Sequence, residues 1–158
     1  MKKQPNSRMC FVCGLENPIG LKLAFYQDSA GRVVAKFTPR QEHQGYPGTV
    51  HGGIVTALLD ETLGRVAIPS ERWMATGRLN IRFRCPVPLE ETVTILGEAT
   101  SWKKRMLEAR GEIKLADGRV AAEATGTFLE MPPERIENME EALVFWQVVP
   151  DEDDERME

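Results

Sequence analysis

Apolar and polar positions along this chain follow two periods. Residues 21–28 alternate, with Leu21, Leu23 and Phe25 set against Lys22 and Gln27. Residues 32–38 carry Val33, Val34 and Phe37 and read as a second strand. The period then changes. Between 52 and about 66, Ile54, Val55, Ala57, Leu58, Leu59, Leu63 and Val66 cover more than one helical stripe. A helix apolar on most sides is expected to be buried on most sides. Alternation returns over 74–85, where Leu79, Ile81 and Phe83 interleave with Arg78, Asn80, Arg82 and Arg84. Further strands are predicted over 92–102, 106–115 and 119–130.

The breaks between these runs have their own chemistry. Asn17-Pro18-Ile19-Gly20 and Ser29-Ala30-Gly31 read as turns, Pro86 and Pro88 end a strand, and Asp117-Gly118 is a hairpin signal. Pro132-Pro133 stop the last strand, and a short helix is expected over 133–146. The predicted order is β-β-α-β-β-β-β. It describes an α+β domain, a six-stranded antiparallel curved sheet wrapped around one long central helix. The expected organisation is an N-terminal segment (1–20), a sheet-and-helix domain (21–131) and a C-terminal extension (132–158).

Composition narrows the function classes. Of a net charge of −4, the last eight residues hold six acids and one arginine, so the tail carries −5 and the rest +1. The tail is expected to be solvated and disordered. The nearly neutral body lacks the basic footprint of a duplex-binding protein, so no nucleic acid is expected as a partner. No apolar run approaches the roughly 18 residues that span a bilayer, and no apolar stretch follows the basic start. A cytoplasmic protein without a membrane partner is therefore expected. Three cysteines argue against a disulfide framework. Cys10 and Cys13 form half a zinc site, which Cys85, His43 or His51 could complete only by long-range coincidence. The cysteines are read as structural, and neither metal nor cofactor is expected.

The candidate chemistry lies at residues 48–61. Gly52 and Gly53 open the helix, where backbone N–H groups meet the positive end of its dipole and can hold a developing oxyanion. Asp60 falls among Leu58, Leu59 and Leu63. It is either a carboxylate paired with an arginine or a general base or nucleophile. Glu61 reads as an ordinary surface acid. His51 is a cap or a site residue. Gly53 and Asp60 are seven residues apart, about 10 Å along a helix axis. One carbonyl cannot reach both from the same helix. If both act on it, they come from two chains related by a two-fold axis. Lys103, Lys104 and Arg105, with Arg82 and Arg84 nearby, are either a solvated turn or contacts for substrate phosphates.

Several of these blocks together resemble the hotdog-fold acyl-CoA thioesterases, closest to the PaaI-like, phenylacetate-pathway branch. They are Cys10-Phe11-Val12-Cys13-Gly14, Asn17-Pro18-Ile19-Gly20-Leu21, Gly45-Tyr46-Pro47-Gly48-Thr49-Val50-His51-Gly52-Gly53, Asp60-Glu61, Leu79-Asn80-Ile81-Arg82-Phe83 and Pro86-Val87-Pro88-Leu89. The resemblance implies hydrolysis of an acyl-CoA thioester by a homodimer or homotetramer. It implies that the Gly53 N–H polarises the carbonyl, that the partner's Asp60 attacks or activates water, and that His51 shapes the site. It places Thr76 as the hydroxyl that orients water. Some similar enzymes offer an asparagine in the loop before the histidine; here Gly45 and its neighbour Gln44 stand there. Gly52, Asn80, Arg82, Arg84 and the 103–105 turn complete the implied substrate contacts. A hotdog hydratase or dehydratase and a non-catalytic acyl-CoA-binding domain are the alternatives.

Overall fold

The computed structural model describes residues 1–142, 146–150 and 154. The strands are β1 (Lys2–Lys3), β2 (Asn6–Ser7), β3 (Tyr26–Gln27), β4 (Val33–Phe37), β5 (Met74–Phe83), β6 (Val93–Lys103), β7 (Met106–Lys114), β8 (Val120–Glu130) and β9 (Trp146–Gln147). The helices are α1 (Gly52–Gly64) and α2 (Pro133–Ala142). A 3-10 turn, Arg65–Ser70, continues α1.

One antiparallel sheet runs in the order β1-β3-β4-β6-β7-β8-β5, and β2 pairs with β9 apart from it. The main sheet has seven strands where the alternation predicts six. The extra one is β1, too short and too charged to show a period, which pairs with β3 through Lys2↔Gln27 and Lys3↔Tyr26. The strand expected over 21–28 shrinks to Tyr26–Gln27. Leu21 and Leu23 instead donate their N–H groups to Phe11 and Val12 of the N-terminal segment, both at 2.8 Å. That segment packs on the core through Val12 and Cys13. Of the acidic tail only Asp154 is described, bound by Lys3 at 2.7 Å; its other residues lie outside the described ones.

The sheet curves over α1. Val55, Leu58, Leu59, Thr62 and Leu63 are the buried face of the helix. They meet Ile95, Leu107, Ile113 and Phe128, all at most 1% exposed. The Gly97↔Gly111 pair lets helix and sheet approach closely. A Cβ on Gly97 would lie 3.0 Å from the Thr62 methyl, and one on Gly111 2.9 Å from Leu63. The buried Thr62 hydroxyl donates to the Leu58 carbonyl at 2.6 Å, so its polarity is spent inside the helix.

Burial of α1 on most sides is not what the single chain shows. Gly52 and Gly53 are exposed and Thr56 and Asp60 half-buried. These residues recur at i, i+4 and i+8, one stripe turned away from the sheet. Beside it runs β5, the last strand of the sheet among the described residues, none of which pairs with its outer edge.

Candidate active site

The helix start is built by two histidines. His43 is buried, tilts against Phe37 at 5.1 Å, and accepts the Arg40 N–H on Nδ1 at 2.9 Å. Its carbonyl accepts the His51 N–H at 2.8 Å. Burial holds the His43 imidazole below its ordinary pKa, with the Arg40 charge adding to the effect. His51 is the N-cap of α1, and its Nδ1 accepts the Gly53 N–H at 2.9 Å. That bond makes Nδ1 the acceptor and leaves Nε2 to carry the proton of the neutral ring. Of the helix-start N–H groups expected to hold an oxyanion, that of Gly53 is thus already held by the preceding histidine. A Cβ on Gly53 would sit 2.9 Å from that nitrogen, so a larger residue there would displace the His51 ring.

The loop before the helix is folded on itself. The Gln44 side-chain oxygen accepts the Gly48 N–H at 2.9 Å, and Gly45 gives its N–H to Thr49. Gly48 holds φ +77, a conformation that suits glycine. A Cβ on Gly45 would press on the His51 Cα at 3.0 Å. Gln44 thus closes its own loop, and Gly45 makes room for the histidine.

Asp60 lies two turns further along. Thr76 Oγ1 donates to Asp60 Oδ1 at 2.8 Å. This contact depends on a bulge in β5. Thr76 pairs with Phe128 but Arg78 pairs with Thr127, so Gly77 is the extra residue. Phe128 points into the core, and Thr76 shares its face. Beyond the bulge the parity is reversed: Leu79 and Ile81 take the helix side, and Arg78, Asn80 and Arg82 the outer side.

Asp60 and Thr76 border a cavity of about 460 Å³. Its apolar walls are Met9, Ile68, Trp73, Met74, Phe128, Met131, Met139 and Trp146. Cys10, Cys13, Glu61 and Arg65 also line it. The alternation identifies none of these walls as a site, because they come from element ends and from α2. Glu61 is no surface acid. Its side chain is 24% exposed and pairs with the buried Arg65 at 2.8 Å. Burial pushes its carboxyl pKa up, and Arg65 opposes that shift. Arg65 also covers the Phe25 ring at 4.2 Å. Cys10 is pushed up, first by its hydrogen bond to Cys13 and then by burial; Cys13 is pushed down, first by receiving that bond.

The basic residues divide. The turn at Lys103, Lys104 and Arg105 sits at the cavity end of the sheet. Arg72, a cavity residue, donates to the Lys104 carbonyl and pairs with Glu130 at 2.6 Å, while Arg105 approaches the same Glu130 at 3.9 Å. Asn80 and Arg82 line a separate groove of about 580 Å³ on the outer sheet face, together with Arg110 and Glu98. Arg84 pairs with Glu123 at 2.6 Å. Within one chain, then, the structure joins Asp60 to Thr76 and His51 to Gly53. It does not join the two pairs, nor either to Asn80, Arg82 or Arg84. Cys85 lies away from the cavity, beside the Val120 carbonyl.

The fold and this helix are found in known proteins. The family described as the Thioesterase superfamily matches residues 47–122. Mouse acyl-coenzyme A thioesterase THEM4 is 32% identical over 136 residues, 85% of this chain. The chain spans 59% of the length of that relative. A crystal structure of a thioesterase superfamily protein is 34% identical, with a TM-score of 0.73 over 77% of this chain and 63% of that one. The PaaI protein of the E. coli phenylacetic acid degradation operon shares the fold at 18% identity, with a TM-score of 0.65 over 71% of this chain and 81% of its own. Residues 47–122 match the thioesterase superfamily, and the fold is the hotdog arrangement of a curved antiparallel sheet around one long helix. Among the described residues no helix is long and apolar enough to cross a membrane.

Proposed function

We propose that this chain hydrolyses acyl-CoA thioesters, with Asp60 as general base or nucleophile. The observation that carries the reading is the Thr76–Asp60 hydrogen bond at the mouth of an apolar cavity. Thr76 fixes one carboxylate oxygen and leaves the other for chemistry. An acyl chain fits the cavity, whose walls are methionines and aromatics that adapt to shape.

In the base route Asp60 takes a proton from water, and the water oxygen adds to the thioester carbonyl. The resulting oxyanion is held by donors at a helix start. Collapse breaks the C–S bond, the thiolate leaves as CoA and takes up the proton, and the free acid remains. The Gly53–Asp60 separation of about 10 Å along one helix supports donors that come from a partner subunit. The open α1 stripe and the β5 edge, unpaired among the described residues, support a two-fold copy that continues the sheet. For the Gly53 N–H to serve the oxyanion, His51 must swing aside. Otherwise its Nε2–H is the donor. The basic 103–105 turn, at the same end of the sheet, serves the nucleotide phosphates.

The test is a panel of acyl-CoAs of different chain length and aromaticity, followed by free-thiol release. Turnover of at least one member is expected, with loss in Asp60→Ala and retention of fold by circular dichroism. Binding of acyl-CoA without turnover across the panel would make the chain a sensor rather than a hydrolase.

A further inference from the structure

The cavity that Asp60 lines also holds a cluster that the hydrolysis does not use. Cys10-Phe11-Val12-Cys13-Gly14 folds into a tight knuckle. Gly14 returns its N–H to the Cys10 carbonyl at 2.9 Å, and a Cβ there would lie 2.3 Å from that oxygen, so only glycine closes it. The Val12 N–H points at Cys10 Sγ at 3.3 Å. The Ser7 hydroxyl lies 3.4 Å from Cys13 Sγ and accepts the Cys10 N–H at 3.1 Å. Both sulfurs are thus oriented by backbone and hydroxyl donors, as the outer shell of a metal site orients its ligands.

The missing ligand comes from α1. Glu61 Oε2 is 3.7 Å from Cys10 Sγ, and the three ligand atoms all lie within 4.8 Å of one another. A tetrahedral zinc with bonds of about 2.3 Å to sulfur and about 2.0–2.2 Å to oxygen needs ligand atoms roughly 3.5–3.8 Å apart. Arg65 holds Oε1 of the same carboxylate and leaves Oε2 facing the sulfurs. Its Nη2 is buried without a hydrogen-bond partner among the described residues, in the wall of the same cavity.

We propose that Cys10, Cys13 and Glu61 bind one zinc ion, with a fourth position open to the cavity for water. Two thiolates and one carboxylate balance zinc(II) and the Arg65 guanidinium, so the buried site is neutral. Binding forms two Zn–S bonds and one Zn–O bond and expels any thiol proton to solvent. The ion ties the N-terminal knuckle to the helix next to Asp60. The cysteine pair, half a site in the sequence, gains its third ligand from a residue 48 positions beyond Cys13. This inference rests on the cluster alone and stands apart from the reading of Asp60.

The test uses the full chain, reduced, its three free thiols confirmed by titration, stripped with chelator and then titrated with Co²⁺. One equivalent is expected to bind with thiolate-to-cobalt charge-transfer absorption, which Zn²⁺ then bleaches. Cys10→Ser and Cys13→Ser should lose that absorption. Glu61→Ala should bind more weakly than the roughly 10- to 100-fold loss typical of outer-shell partners. Wild-type protein decides the matter even if a variant misfolds. Folded, fully reduced wild-type chain that shows no charge transfer overturns the proposal, as does binding that persists in both cysteine variants.

Discussion

Thr76 reaches Asp60 at 2.8 Å because one glycine, Gly77, interrupts the alternation of β5. In a regular strand Thr76 would share the outer face with Arg78's neighbours Asn80 and Arg82. The bulge turns it toward the helix instead. A hydrogen bond to a charged group contributes about 1.5–3 kcal/mol. Thr76→Ala and Thr76→Val should therefore lower kcat roughly 10- to 150-fold, and Thr76→Ser should recover most of it. Deletion of Gly77 should be as harmful as Thr76→Ala with the hydroxyl still present. Full activity of the deletion variant would show that the contact does not serve turnover.

His43 links pH to stability. Its imidazole is held low by burial, and its Nδ1 must stay unprotonated to accept the Arg40 N–H. As pH falls below about 6.5 the unfolded chain takes up the proton first, so the unfolded state gains. Stability from this group is present above that pH and is lost as pH drops toward the lower folded value. Thermal melts at pH 7.5 and 5.5 should differ, and the difference should shrink in His43→Phe. An unchanged difference would assign the acid sensitivity to other groups.

The 103–105 turn makes a kinetic prediction. Lys103 and Arg105 are exposed and meet half-buried carboxylates only at 3.6 and 3.9 Å, so each contact is weak and screened by salt. Replacing Lys103, Lys104 and Arg105 with glutamine should raise KM for acyl-CoA roughly 10-fold at low ionic strength, with kcat nearly unchanged. A short thioester without the nucleotide should not respond. If acyl-CoA KM stays constant, the turn is a solvated hairpin.

Packing of α1 on the Gly97↔Gly111 pair sets the distance between helix and sheet. A Cβ at Gly111 would lie 2.4 Å from the Leu96 carbonyl oxygen and 2.9 Å from Leu63. Gly111→Ala should destabilise by about 1–3 kcal/mol or more through overpacking. Leu58→Ala, which opens a cavity, should cost about 2–5 kcal/mol. Urea unfolding of both variants checks the pair, and a neutral Gly111→Ala would mean that the helix can lift off the sheet without loss.

Much of this was legible in the residues. The helix begins at Gly52 as its glycine pair and apolar run require, and β5 to β8 fall within one or two residues of the alternating runs. Asp60 stands out as a carboxylate in an apolar helix, and Thr76 enters through the family resemblance as a hydroxyl that orients water; their hydrogen bond to each other is not expected from either. Three features were not legible. Period-two alternation cannot reveal a bulge, so nothing marks Gly77 as the residue that turns Thr76 inward. The burial of Glu61 depends on Arg65 and on the N-terminal segment folding over α1, a contact of long sequence separation. The alternation of Leu21, Leu23 and Phe25 arises from packing beneath that same segment, not from sheet pairing, so β3 is shorter than its pattern.

The central claim is that Asp60 of one chain acts on a carbonyl held at the helix start of another. Mixed dimers test it most directly. Chains carrying Asp60→Ala and chains carrying Gly53→Pro, which removes the N–H and, through its Cβ, also displaces the His51 ring, are each expected to be inactive alone. A heterodimer of the two retains one site with Asp60 and Gly53 both intact. Purified heterodimers, tagged differently on each chain, should show about half the acyl-CoA turnover of wild-type dimers. Heterodimers verified as mixed and folded but inactive would contradict the shared site.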